Sequence, residues 1–313
     1  MASIRFLLKK MNALLPMTNG AYNSSSFLQS FSSHGEVVLL PNSGLSLIKR
    51  PLNENYYDLA GVYPFSMCND WQAVYQDIES IKDESLVSVV FVSDPFKENQ
   101  LSQQVNSWSQ CYRYKKHYTV NLIKDLQYKK ELRRLSRRAM EKHTVRLVTP
   151  SQEWILKFWN IHQHLVDKHN ISGMGKISLA MLEQQLKTPG TLLAIAEYEG
   201  EMVSAIIMFQ KTNISYWYLM ATHPRAYQLK SNYALFYETI NQLRQSGIEW
   251  INLGGNAGLA NKIDDGLARF KNQWANDECY SLLCGKVLNE KIYTNLSHSN
   301  NNKKGKDYFP AYR

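Results

Sequence analysis

The residues best suited to chemistry lie near the C-terminal end, in GLARFKNQWAND (266–277). There Arg269 and Lys271 stand on either side of Phe270, and Trp274 follows. The stretch comes just after a short glycine cluster, LGGNAG (253–258). Two cations bracketing an aromatic beside a glycine turn are either an ordinary solvated helix face or the place where a substrate's charge is met. Phe270 and Trp274 are four residues apart, which on a helix gives them one buried side and fixes where Lys271 points. Gly254, Gly255 and Gly258 could form an amide nest at the C-terminal end of a strand, where open α/β sheets bind ligands. A tight turn that needs positive φ accounts for the same glycines. Asp265 either orients Lys271 or a substrate amine, or caps a helix start.

A second concentration of charge is KDLQYKKELRRLSRRAMEKH (124–143). Residues 125–143 hold seven Lys/Arg against three acids, over a rough helical stripe of Leu126, Leu132, Leu135 and Ala139. Such a helix could follow an RNA backbone through phosphate contacts. A solvated helix face is the commoner source of a charge run, and no RRM, KH or zinc-finger signature accompanies this one. His162, His164 and His169 share one helical segment. His162 and His164 fall on different faces and make no metal pair, whereas His169, beside NISGMGK (170–176), is a candidate general base that could overhang an acceptor site. Tyr216 and Tyr218 alternate onto one face of a strand, where most aromatics are core and one could touch substrate. No P-loop, GxSxG or HExxH sequence is present. Cys68, Cys111, Cys279 and Cys284 are scattered without a CxxC. They read as reduced thiols serving mostly as core filler, not as a zinc site or disulfide framework.

The scaffold for these groups has 313 residues, enough for two average domains or one large one. A hydrophobic share of 44% with 20% charged residues is ordinary for a globular chain, and 19 Tyr and 7 Trp can fill cores or line sites for flat ligands. The net charge of +9 favours anionic partners such as phosphates, nucleic acid or acidic glycans without choosing among them. The opening MASIRFLLKKMNALLPM is cut by Lys9 and Lys10 and makes a poor signal peptide. No run approaches the ~18 apolar residues of a membrane span. The longest, LVSVVFV (86–92), has the length of a buried strand. The expectation is a soluble, cytoplasmic protein that can work beside a membrane, of unknown oligomeric state.

EVVLLP and LSLIKR flank Asn42-Ser43-Gly44 as a hairpin, NDWQAVYQDIESI (69–81) reads as a helix capped by Asn69, and KHYTVNL (116–122) alternates as a strand. The basic segment reads as a helix bridging two halves. In the second half, helices over 151–169 (capped by Ser151) and 176–186 precede three strands, 191–198, 202–210 and 214–221, joined by hairpin-short turns. A helix over 231–247, capped by Ser231 or Asn232 and closed by Gly247, then feeds the strand EWINLGG. That strand can lie beside the third in the right-handed sense, giving a mixed sheet with helices on its faces. The polar stretch 297–306 reads as a loop, after which the aromatics of DYFPAYR dock back onto the body.

This order of elements is that of the GNAT acyltransferase fold. LGGNAG, DGLARFKNQW (265–274), KIYTNL (291–296) and YFPAYR (308–313), with YYDLAGVYPF (56–65) earlier, resemble the FemAB-like branch of that superfamily across most of the chain. The resemblance implies an α+β (mixed α/β) chain of two GNAT-like modules, with mixed, mostly antiparallel sheets flanked by helices. The modules would be residues 1–145, including the basic joining helix, and residues 146–313, which carry the acyltransferase site. It implies transfer of an acetyl or aminoacyl group to an amine, with a cell-envelope or surface-polysaccharide precursor as acceptor and Lys271 stabilising the oxyanion. Arg269, Gly254, Gly255, Asn256, Tyr216 and Tyr218 would contact substrate. The donor would be acetyl-CoA or another acyl-CoA, or aminoacyl-tRNA; a degenerate, non-catalytic GNAT binding module is the remaining reading. CoA-binding members carry a Q/R-x-x-G-x-G/A turn whose amides cradle the pyrophosphate at a helix N-terminus. Here the turn reads HPRAYQLKSNYA (223–234) without a glycine, leaving Arg225, Lys230, Ser231 and Asn232 as the candidate phosphate contacts.

Overall fold

The structure, a computed structural model, describes residues 20–102, 105–170, 176–256, 266–299 and 309–313. In chain order the elements are β1 (Glu36–Leu39), β2 (Ser46–Pro51), β3 (Tyr57–Gly61), α1 (Val74–Glu79), β4 (Leu86–Val92), β5 (Gln110–Asn121), α2 (Lys130–Met140), β6 (Thr144–Val148), α3 (Gln152–His169), α4 (Leu179–Leu186), β7 (Thr191–Tyr198), β8 (Glu201–Lys211), β9 (Ile214–Thr222), α5 (Pro224–Leu229), α6 (Ser231–Gln245), β10 (Trp250–Gly255), α7 (Gly266–Asn272), β11 (Asp277–Val287) and α8 (Glu290–Ser299), with short helical turns between some of them. Two compact units form, Met1–Phe27 with His117–Glu278, and Leu28–Lys116 with Cys279–Arg313. The chain therefore changes unit after Phe27, within β5 and again after Glu278.

In the first unit the strands run β5–β10–β9–β8–β7–β6. β6/β7, β7/β8, β8/β9 and β10/β5 are antiparallel, and β9/β10 is parallel. The mixed, mostly antiparallel sheet expected from the sequence is present. A parallel neighbour needs a crossover, and α6 supplies it. The β7–β8 turn puts Glu199 at φ 54° and Gly200 at φ 81°, the double positive φ of a tight hairpin.

α2 belongs to this unit. Its Leu132 and Ala139 share one core with Leu235, Phe236 and Ile240 of α6, while Lys129, Lys130, Arg133, Arg134, Arg137, Arg138 and Lys142 are all exposed. The helix is thus a packed part of the unit that holds the candidate site, and the expected bridging role gives way to amphipathic burial on α6. It is also shorter than 124–143, because Tyr128 leaves the helical path to set its ring 5.3 Å from that of Trp274.

In the second unit β1, β2 and β3 form an antiparallel meander, β3 and β4 run parallel, and β4 pairs antiparallel with β11. α1 is shorter than the 69–81 expected. Asn69 and Asp70 donate their amides to the Ser43 carbonyl at 2.8 and 3.1 Å, so the chain turns there and Asn69 caps nothing. Buried Asp77 of α1 in turn accepts from Asn42 and Ser43 of the β1–β2 hairpin, Ser43 N–H at 2.7 Å. The C-terminal residues do dock. Tyr312 OH lies 2.7 Å from Ser88 Oγ, and Arg313 joins Arg50 on fully buried Asp58 at 2.9 and 2.8 Å.

Candidate active site

The site starts from a failure of strand pairing. β10 pairs with β9 only over Trp250–Asn252 against Ile214–Tyr216. Against β5 the register runs Trp250↔Asn121 to Asn252↔Thr119 and then jumps to Gly255↔His117. Leu253 and Gly254 therefore stand opposite Tyr118 alone, a bulge that re-aims the strand end. Gly254 sits at φ 83°, where an L side chain is strained.

The bulge is held from both sides. Asn252 Oδ1 accepts the Gly254 N–H at 2.8 Å and lies 3.1 Å from His117 Nδ1. The Gly254 amide can only donate, which fixes the Asn252 oxygen there; His117 must then donate through Nδ1, leaving Nε2 as the basic nitrogen of the neutral ring. On the other side Lys271 Nζ donates to the Gly255 carbonyl at 2.8 Å. A Cβ added to Gly254 would stand 3.2 Å from that ammonium. His117 and Lys271 thus both meet Gly255, one as its ladder partner and one through its carbonyl.

Lys271 is aimed by its neighbours. Phe270 packs edge-on against Phe236 (4.8 Å) and Tyr233 (5.3 Å), and buried Trp274 contacts Phe236 (5.6 Å) and Tyr128. Phe270 and Trp274 share a buried side as their spacing predicts, which pins α7 to α6 and turns half-buried Lys271 toward the glycines.

The remaining candidates fall in different places. Arg269 lies exposed on α7. The Gly254 amide is consumed by Asn252, so it does not contribute to an open nest. Asn256 Oδ1 is buried with no partner among the described residues. Gly258 and Asp265, and the side chain of His169, lie outside the described residues. Tyr216 is 2% exposed, and it and Tyr218 face the rings of Tyr22 at 6.0 and 5.7 Å, so both pack in an aromatic cluster with Phe27 and Phe209. Burial pushes the pKa of His162, stacked on Phe158, below its usual value. His164 contacts His223 edge-on and helps line a surface pocket with Leu165, Lys168, Thr222, Pro224 and Tyr227, none of which belongs to the bulge.

The start of α6 is not laid out as a phosphate cradle. Lys230, not Ser231 or Asn232, is its N-cap, at φ 59° and with no side-chain cap bond. Ser231 is fully buried. His143 donates Nδ1–H to the Ala139 carbonyl at 2.8 Å, which leaves its Nε2 to accept the Ser231 hydroxyl at 2.8 Å. Asn232 Oδ1 accepts from Ser204 at 2.7 Å. Arg225 pairs with Glu199 and lies over the Tyr198 ring, in a short helix, α5, that replaces the expected turn. Arg225 and Lys230 are both exposed cations, Arg225 within its surface pair with Glu199. Ser231 and Asn232, two of the four candidate phosphate contacts, are thus spent on bonds inside the unit.

Residues 127–272 match the acetyltransferase (GNAT) domain family. Among solved structures, FemX superposes with a TM-score of 0.66 at 11% identity, covering 92% of this chain and 97% of its own. L-PGS from Bacillus licheniformis gives 0.56 at 13%, covering 85% and 93%. A protein of unknown function from Bacteroides thetaiotaomicron gives 0.60 at 14%, covering 89% and 96%. No curated protein sequence matches significantly. Residues 127–272 thus carry the match to the GNAT domain, and the fold of the chain is that of FemX. Among the described residues no helix is long and apolar enough to cross a membrane.

His117 and Asn252 escaped the sequence reading. Each looked like an alternating strand residue, and their bond joins positions 135 apart. A polar residue at an inward strand position was the only available signal.

Proposed function

We propose that the protein is an N-acyltransferase in which Lys271 stabilises the oxyanion formed when an acceptor amine attacks an activated acyl carbonyl. The observation that carries this reading is the Lys271 ammonium held 2.8 Å from the Gly255 carbonyl, at the end of the strand that leaves β9. Attack converts a planar carbonyl to a tetrahedral alkoxide. A cation fixed in advance meets that charge without reorganising, and one such donor is typically worth ~3–4 kcal/mol. The amine and carbonyl must otherwise be aligned, which needs no covalent participation by the enzyme. Asn252 and Gly254 shape the bulge that presents the Gly255 carbonyl to Lys271. The acceptor class is an amine of a cell-envelope or surface-polysaccharide precursor, a reading supported by the likeness in fold to FemX.

The donor has two forms. An acyl thioester is the usual one for GNAT proteins, but the engaged side chains at the start of α6 argue against CoA held by its pyrophosphate there. Aminoacyl-tRNA is favoured by a specific observation, the exposed cations along α2, which could track phosphates. Thiol release from acetyl-CoA in the presence of amines tests the first. Filter retention of charged tRNA at several salt concentrations tests the second, with binding that weakens steeply as salt rises. Failure of both, with the Lys271→Ala strain phenotypically normal, would leave a non-catalytic binding module.

A further inference from the structure

The Leu28–Lys116/Cys279–Arg313 unit holds a second reactive arrangement. Cys111 on β5 and Cys284 on β11 bring their sulfurs to 3.0 Å. The two are not equivalent. Cys284 is fully buried in a core with Phe91, Trp108 and Leu282, whereas Cys111 is half-buried at the margin of that core. Scattered in sequence, the pair had read as core filler. In space it is a vicinal dithiol with one accessible member.

We propose that Cys111 and Cys284 form a reversible dithiol–disulfide couple that exchanges with low-molecular-weight disulfides, Cys111 as the entry thiol and Cys284 as the resolving one. The Cys111 thiolate attacks one sulfur of the small disulfide RSSR. A Cys111–S–S–R bond forms, the R–S bond partner leaves as thiolate, and that thiolate takes up the proton Cys111 has shed. The Cys284 sulfur then attacks Cys111 Sγ, its proton passing to the second departing RS⁻. The net change is two cysteine thiols oxidised to one disulfide and one RSSR reduced to two RSH, with electrons and protons balanced. Accessibility sets the order: a small disulfide can reach half-exposed Cys111, but only Cys111 can reach Cys284.

The electrostatics agree with that order. The Cys284 S–H donated to Cys111 favours the Cys111 thiolate, which lowers its pKa against the opposing effect of burial. Donating to Cys111, with burial and repulsion from the neighbouring thiolate, pushes Cys284 the other way, so it keeps its proton until Cys111 has reacted.

The test uses the full chain and oxidised glutathione. After exposure and alkylation of remaining thiols, intact mass and peptide mapping should show a two-hydrogen loss localised to a Cys111–Cys284 crosslink, reversed by reductant. In Cys284→Ser the reaction should stop at a stable glutathione adduct on Cys111; in Cys111→Ser neither crosslink nor adduct on Cys284 should form. Cys279, also half-buried, serves as the internal comparison. The proposal is overturned if wild-type protein keeps both thiols alkylatable, if it retains the glutathione adduct as Cys284→Ser does, or if the crosslink maps to Cys279 or Cys68. The wild-type measurement alone decides if either variant fails to fold.

Discussion

The ammonium of Lys271 is bonded to the carbonyl of Gly255, one residue beyond a glycine whose added methyl would lie 3.2 Å from the same ammonium. Residues 16 apart in sequence thus make one polar corner, closed beneath by the Asn252 amide and the His117 ring.

Gly254→Ala should disturb both backbone and lysine. A methyl at φ 83° is strained, and Lys271 must withdraw to admit it. The expected cost is about 1 kcal/mol, or roughly 2–4 °C in Tm, together with loss of acyl transfer. Thermal unfolding and turnover measured on the same preparation check it. Wild-type values in both would mean that the bulge is not strained as described.

Trp274→Ala should remove the anchor of α7. Trp274 is 1% exposed and packs on Tyr128 and Phe236, so the loss should be about 3–5 kcal/mol in denaturant unfolding. Trp274→Phe keeps most of the packing and should restore most of the stability. If Trp274→Ala is as stable as wild type, the aromatic cluster does not aim Lys271.

Asp77 gives the second unit a pH dependence. Burial pushes its pKa up, but the bonds from Ser43 and Asn42 outweigh burial and hold it below the ordinary 3.8. A depressed carboxyl contributes stability that is present above the unfolded pKa and lost as pH falls through the folded one. Urea midpoints should therefore drop as pH is lowered from about 5 to about 3, and less so in Asp77→Asn. Parallel profiles for the two proteins would remove Asp77 from the account.

Strands β7 to β10 were legible almost to the residue, whereas β6 (Thr144–Val148) was not expected and β5 begins at Gln110, ahead of the expected 116–122. Runs such as TLLAIAEY and ISYWYLMA are bounded by hairpin-short turns, and their burial leaves one arrangement. The pairing of Phe270 with Trp274 was legible for the same kind of reason, a local spacing that only a helix can use. What failed were assignments that depend on distant partners. Ser231 has the chemistry of an N-cap, but His143 claims its hydroxyl from 88 residues away. Tyr216 and Tyr218 lie under Tyr22 and Phe27, from a segment with no sequence signal of its own. The basic helix was assigned by its charge, whereas its unit was decided by Leu132 and Ala139 against α6. Cys111 and Cys284 are 173 residues apart, and nothing local brings them together.

The central claim is the role of Lys271, and the most direct measurement is single-turnover acyl transfer by Lys271→Met beside wild type. It should use whichever donor, acetyl-CoA or aminoacyl-tRNA, the wild type consumes, with Tm and donor binding recorded in parallel. The account predicts a fall of about 10²–10³ in the rate of the chemical step, with folding and donor affinity near wild type. A rate within a few-fold of wild type would contradict it and leave Lys271 as a structural tie to Gly255.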